Sequence, residues 1–125
     1  MMYELSYERL QVWQHSRMLV KEVYGLLKLL PQEERYALSD QLRRAVVSVS
    51  SNIAEGSARV GRKEKGNFYG FAYGSLMEVA CQLTLAQDLQ YIDPEQMLSV
   101  RPLIEQIARE LSALRKSLTA DIRNS

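Results

Sequence analysis

Apolar residues recur along this chain in steps of three and four, and the rhythm breaks only at short polar stretches. Val12, Ser16, Leu19, Val23, Leu26 and Leu30 mark one helical face, widened by Trp13, Val20 and Leu27. They predict a first helix over about residues 7–29, with Ser6 as its cap. Pro31 stops it, because the residue before a proline is pushed out of the α region. Residues 31–35 then read as a turn, with room for one loose helical turn. Leu42, Val46, Val49 and Ile53 predict a second helix over about 39–59, capped by Ser39, and Leu76, Val79, Ala80, Leu83 and Ala86 a third over about 62–90. The fourth, over about 94–121, has the clearest start. Asp93-Pro94-Glu95-Gln96 sets a capping residue, a proline at the first helical position and a glutamine three after the cap. Met97, Val100, Ile104, Ile107, Leu111, Leu114 and Leu118 continue in a heptad rhythm, and Pro102 inside the run predicts a kink. Four amphipathic helices joined by short connections predict an all-α fold: an antiparallel up-and-down four-helix bundle, one domain over residues 1–125.

Two stretches carry more than core. The second helix is lined with small residues (Ala45, Ser48, Ser50, Ser51, Ala54, Gly56), which let another helix or a neighbouring subunit come close. The third opens with the block GNFYGFAYG, in which Gly66, Gly70 and Gly74 stand four apart. Each interior glycine weakens a helix by about 0.5–1 kcal/mol relative to alanine, so the ridge predicts close backbone approach.

Composition narrows the partners. Hydrophobic content of 46% and charged content of 25% exclude a disordered or fibrous chain. A net charge of +1 gives no global field, so a polyanion must be met by a local patch. The single cysteine, Cys81, lies in an apolar pattern and is expected to be a buried thiol, which excludes a disulfide scaffold. The start MMYELSYERL has acidic residues where a signal peptide would be basic, and no window approaches the roughly 18 apolar residues of a membrane span. The expectation is a soluble, cytoplasmic protein.

Catalytic chemistry is sparse. His15 is the single histidine, and the Glu-x-x-His pairs of di-iron bundles are missing. The glycine block has neither the lysine nor the hydroxyl of a phosphate-binding loop. Arg9 and His15 loosely resemble the arginine–histidine motif of the small all-α HEPN ribonucleases, with the arginine on a phosphate and the histidine moving a proton. A spacing of six, however, turns the two side chains about 120° apart on an ideal helix, and the residue after Arg9 is apolar Leu10. Glu55 and Glu78 stand in small-residue settings. Glu55 is placed to pair with Arg59, and both carboxylates with Arg43 or Arg44 across helices. The expectation is no enzyme, no metal and no cofactor.

Charge is more informative locally. Between residues 43 and 65 six basic residues (Arg43, Arg44, Arg59, Arg62, Lys63, Lys65) face two acidic ones, a surplus of four positive charges. They read as one basic edge along the second helix, able to neutralise phosphates, with Tyr69 and Tyr73 as stacking surfaces.

The run Leu42-Arg-Arg-Ala-Val-Val-Ser-Val-Ser-Ser-Asn-Ile-Ala-Glu-Gly56, its basic sequel and Ala72-Tyr-Gly-Ser-Leu-Met-Glu78 resemble the four-helix-bundle proteins encoded in intervening sequences of bacterial 23S ribosomal RNA genes. Leu10-x-Val-Trp13, Pro31, Glu34, Tyr36, Leu38 and Gln41 fit the same pattern. The resemblance implies a homopentamer associated with ribosomal RNA. It extends to accessory proteins of diversity-generating retroelements, which are basic pentamers binding nucleic acid and a reverse transcriptase, whereas this chain is nearly neutral. Carried over, it makes Arg43, Arg44, Arg59, Arg62, Lys63 and Lys65 candidates for RNA or DNA. It makes Ser48, Asn52, Glu55, Gly56, Gly70, Gly74, Ser75 and Glu78 candidates for a helix or subunit junction. A homo-oligomeric protein-interaction module without nucleic acid is the alternative.

Overall fold

Three residues, 59–61, separate the second helix from the third, and so short a link turns the chain straight back on itself. The computed structural model describes residues 3–124, with side chains through residue 119. Among these it has four α-helices and no strand: α1 (Gln11–Leu27), α2 (Leu38–Ala58), α3 (Arg62–Asp88) and α4 (Arg101–Asn124). Each helix packs on its two neighbours, α1 closing the square against α4. Contacts between Gln41 and Gln82 and between Ser48 and Ser75 run in opposing order along α2 and α3, as an antiparallel pair requires, and His15 meets Glu110 between α1 and α4. Leu19, Val46, Ile53, Leu76, Leu83, Ile107 and Leu111 lie fully buried between the four helices.

The first and last helices begin later than the pattern predicts. Ser6–Arg9 forms a separate 3-10 turn, and Leu10 is extended (φ −82°, ψ 122°) before α1 starts. Ser6 caps nothing; its hydroxyl meets that of Ser57 at 2.9 Å, tying the turn to the end of α2. Ser39 is buried one residue inside α2, whose first N–H, on Leu38, donates to Glu34 Oε1 at 3.4 Å instead. Before α4 the capping box forms as expected: Gln96 N–H donates to Asp93 Oδ1 at 2.8 Å, and Asp93 N–H to Gln96 Oε1 at 2.9 Å. It closes only a short turn, Gln96–Ser99. Pro102 is the reason: it has no N–H for the Leu98 carbonyl and its ring would clash there. The helix therefore restarts at Arg101, with Pro102 in the first turn, where its missing N–H costs nothing.

α3 ends in the opposite way, on a residue that is not glycine. Gln90 takes φ 66°, with Gln90 N–H on the Gln87 carbonyl and Tyr91 N–H on the Ala86 carbonyl, both at 2.9 Å.

The glycine ridge does not bring backbones together. A Cβ on Gly74 would meet nothing within 4 Å, on Gly66 only the Leu118 side chain at 4.0 Å, and on Gly70 the Arg115 guanidinium at 3.6 Å. The tight glycine is Gly56, where a Cβ would fall 2.8 Å from the Tyr69 ring. Cys81 is exposed, because it lies about 200° around α3 from buried Val79. Its neighbours on the outer side of α3, Phe71, Met77, Leu85 and Leu89, are also exposed, so this helix carries apolar residues on both faces.

Candidate nucleic-acid interface

The six basic residues on and after α2 do not form one edge. Arg44 precedes Arg59 by fifteen residues, about 22 Å along the helix axis. Arg43 Nη1 and Arg44 Nε both donate to the Asp40 carboxylate, each at 3.0 Å, so these two are satisfied locally at the start of α2. They do not reach Glu55 or Glu78 across helices. Glu55 pairs at 3.5 Å with Arg59, an exposed contact of little energetic weight.

The other four, Arg59, Arg62, Lys63 and Lys65, cluster at the α2–α3 turn. Lys65 Nζ donates to the carbonyls of Gly56 and Ser57 at 3.4 and 3.0 Å, covering acceptors that the end of α2 leaves open. Arg59 lies 4.6 Å over the Phe68 ring. Antiparallel packing then adds two residues that a count of charge along the chain does not join to them. Leu118 reaches Gly66 and Arg115 reaches Gly70, so Arg115 and Lys116 of α4 stand at the same end of the bundle. The heptad run of α4, paired antiparallel with α3, is the sequence signal that points to them. Beside them a surface groove of about 380 Å³ is lined by Tyr73, Arg109, Ser112 and Lys116.

Of the two tyrosines expected to stack on bases, Tyr69 is unsuited. It is 4% exposed and packs on Gly56, and burial pushes its hydroxyl above the ordinary 10.0. Tyr73 is half-buried, with the Arg115 guanidinium 5.9 Å from its ring centre.

Three of the candidate junction residues meet between α2 and α3. The Ser48 and Ser75 hydroxyls bond at 2.9 Å, and Asn52 Nδ2 donates to the Ser48 carbonyl and hydroxyl at 2.9 and 3.0 Å. Gly56 lies further along the same contact, against Tyr69. Glu55, Gly74 and Glu78 are exposed, and Gly70 lies under Arg115.

His15 Nδ1 is held by both oxygens of Glu110, at 2.8 and 3.0 Å, joining α1 to α4. Arg9 sits in the turn before extended Leu10, so the two residues of the ribonuclease-like motif do not share a helix. Among the described residues no three His, Cys, Asp or Glu side chains are placed to hold a metal ion, and no helix is long and apolar enough to cross a membrane.

The family model of 23S rRNA-intervening sequence proteins matches residues 8–113. Among solved structures the chain is similar to a protein of unknown function from the S23 ribosomal protein family of Bacteroides thetaiotaomicron. Identity is 25%, over 89% of this chain and 97% of that one, with a TM-score of 0.63. No curated protein matches it.

Proposed function

Because the chain belongs to the family of 23S rRNA-intervening sequence proteins, we propose that it is a non-enzymatic homo-oligomer that binds structured RNA through the basic end of its bundle. The observation that carries this is the gathering of Arg59, Arg62, Lys63, Lys65, Arg115 and Lys116 from two distant segments, against Glu55 and Glu64. The N-terminal turn at this end adds Glu4, Glu8 and Arg9. The far end carries Asp88, Asp93 and Glu95, balanced charges in the first connection (Lys28, Glu33, Glu34, Arg35), and Asp40, Arg43, Arg44 and Arg101 at the starts of α2 and α4, a small negative balance against the positive one at this end. The bundle is therefore polar along its axis. One such end is a weak phosphate site, and a ring of copies multiplies it. The outer face of α3, with Phe71, Met77, Leu85 and Leu89 exposed, supports assembly, since an outward helix face is ordinarily polar. Five copies is the number the family resemblance implies and ribosomal RNA its nucleic acid, while the lone unpaired thiol fits a reducing compartment such as the cytoplasm.

The test joins two measurements on the purified protein. Light scattering gives the particle mass, and filter binding to a structured RNA is followed as salt is raised. Affinity should fall steeply with salt, and Lys63→Ala or Lys116→Ala should each reduce the salt slope by about 1, the share of one neutralised phosphate. Arg44→Ala, at the other end of α2, should leave the slope unchanged. Absence of binding at low salt, or binding indifferent to salt, would overturn the RNA reading. A defined oligomer that ignores RNA would instead identify a protein-interaction module.

A further inference from the structure

Midway along the α2–α3 contact, apart from the basic end, a cleft of about 320 Å³ opens to the surface between Gln41, Arg44, Ser48, Ser75, Glu78 and Gln82. We propose that it is a binding site for a cationic nitrogen donor, a guanidinium group above all. Gln82 is the starting point. It is 9% exposed, its Nε2 donates to Gln41 Oε1 at 3.3 Å, and its own Oε1 is buried with no partner. In its bond to Gln41 the Gln82 amide uses Nε2 and leaves Oε1 unmet. A buried carbonyl left unmet is a cost that an aliphatic side chain at position 82 would avoid. The missing partner is a donor, and Gln82 forms part of the wall of the open cleft.

The rest of the lining says what kind of donor. Glu78 lies one turn before Gln82 on the same helix, is exposed, and makes no ion pair among the described residues. Ser48 and Ser75 share one hydrogen bond, Asn52 fills a further lone pair of Ser48, and the pair keeps two lone pairs and one O–H. Gln41 Oε1 has a second lone pair as well. The cation on the wall, Arg44, is turned to solvent, with its side chain 80% exposed and its Nε on Asp40. Acceptors thus outnumber donors, and one of them is a charged carboxylate. A water molecule supplies donors but no countercharge. A guanidinium supplies five N–H donors in a planar fork, a positive charge and no acceptor, which complements Gln82, Glu78 and the serine pair together.

The experiment follows the side-chain amide of Gln82 by nitrogen-15 NMR in the full chain as L-arginine amide is added, with L-citrulline amide as its neutral counterpart. Arginine amide should give a saturable shift with a dissociation constant on the order of 1–10 mM, and citrulline amide should give none. Glu78→Gln should weaken binding about tenfold. Gln82→Met, which keeps the helix and the side-chain volume, should remove the response of the Ser48 and Ser75 amides. If a second copy of the chain supplies the guanidinium, the Gln82 resonance will also move on dilution of the protein, and arginine amide will compete with that change. Equal responses to the charged and neutral probes, or no saturable response, would overturn the proposal in favour of water. So would an Arg44→Ala variant in which the Gln82 amide moves as far as arginine amide moves it in the wild type, since Arg44 would then fill the cleft from within. No arm uses RNA, so the outcome is independent of the function proposed above.

Discussion

Replacing Gly56 with alanine should destabilise the bundle, although the same change in an open helical position stabilises it. Gly56 is buried near the end of α2, and an alanine Cβ there would lie 2.8 and 3.0 Å from Tyr69 ring carbons and 3.1 Å from Phe68 Cβ. Tyr69 is 4% exposed, so its ring cannot swing into solvent without opening the α2–α3 contact. The helical preference of alanine over glycine contributes up to about 1 kcal/mol, while overpacking of this kind costs about 1–3 kcal/mol. The expected net loss is about 1–2 kcal/mol, or a fall in Tm of about 4–8 °C for a chain of this size. Gly25 in α1 supplies the control, because a Cβ there meets nothing within 4 Å. Gly25→Ala should gain about 0.5–1 kcal/mol. Urea unfolding followed by far-UV circular dichroism, with all variants at one protein concentration, reads both as midpoint shifts at unchanged slope. A Gly56→Ala protein as stable as the wild type would refute the close packing of Tyr69 on α2.

Pro102→Ala should not stabilise the protein, because Pro102 occupies the first turn of α4; a gain approaching about 3 kcal/mol in the same urea assay would place the proline in a helix interior instead. Gln90→Gly should raise stability by about 0.5–1 kcal/mol, since Gln90 holds φ 66° at the end of α3, and an unchanged midpoint would contradict that conformation. The Tyr91 hydroxyl donates to Glu34 Oε2 at 2.9 Å, and that hydrogen bond, then burial and the charges of Glu34 and Glu33, raises its pKa above the ordinary 10.0. The raised pKa means that the folded state holds the proton more tightly. The contribution is therefore complete below pH 10 and is lost as pH climbs through the folded value. Wild type should accordingly exceed Tyr91→Phe in stability at neutral pH, with the gap closing in alkaline urea titrations; a gap constant with pH would remove the hydrogen bond from the account.

Much of this protein could be read from its amino-acid pattern. A 3.6-residue period is a local property, and Val12 to Leu30 or Leu42 to Ile53 display it without help from the rest of the chain. The four helices, their order and most of the buried positions follow from it. The capping box of Asp93 and Gln96 was legible too, because its bonds span only three residues. What the box introduces was not. Whether a turn continues into a helix depended on Pro102, six residues after Gln96, where local signals compete.

Tertiary structure decided everything that depends on which helix faces which. Cys81 is apolar by type and sits among apolar residues, yet α3 has two apolar faces and only packing selects the buried one. Charge counted along the sequence joined Arg44 to Arg59, although a helix carries residues fifteen apart to opposite ends of the bundle. The same geometry brought Arg115 and Lys116 to the α2–α3 turn from some fifty residues away. The glycines divide for the same reason. Gly56 and Gly74 look alike in sequence, but the Tyr69 ring lies against one and open space against the other. The period of a helix is set by its own backbone, whereas the neighbour of each face is set by the packing of the whole chain.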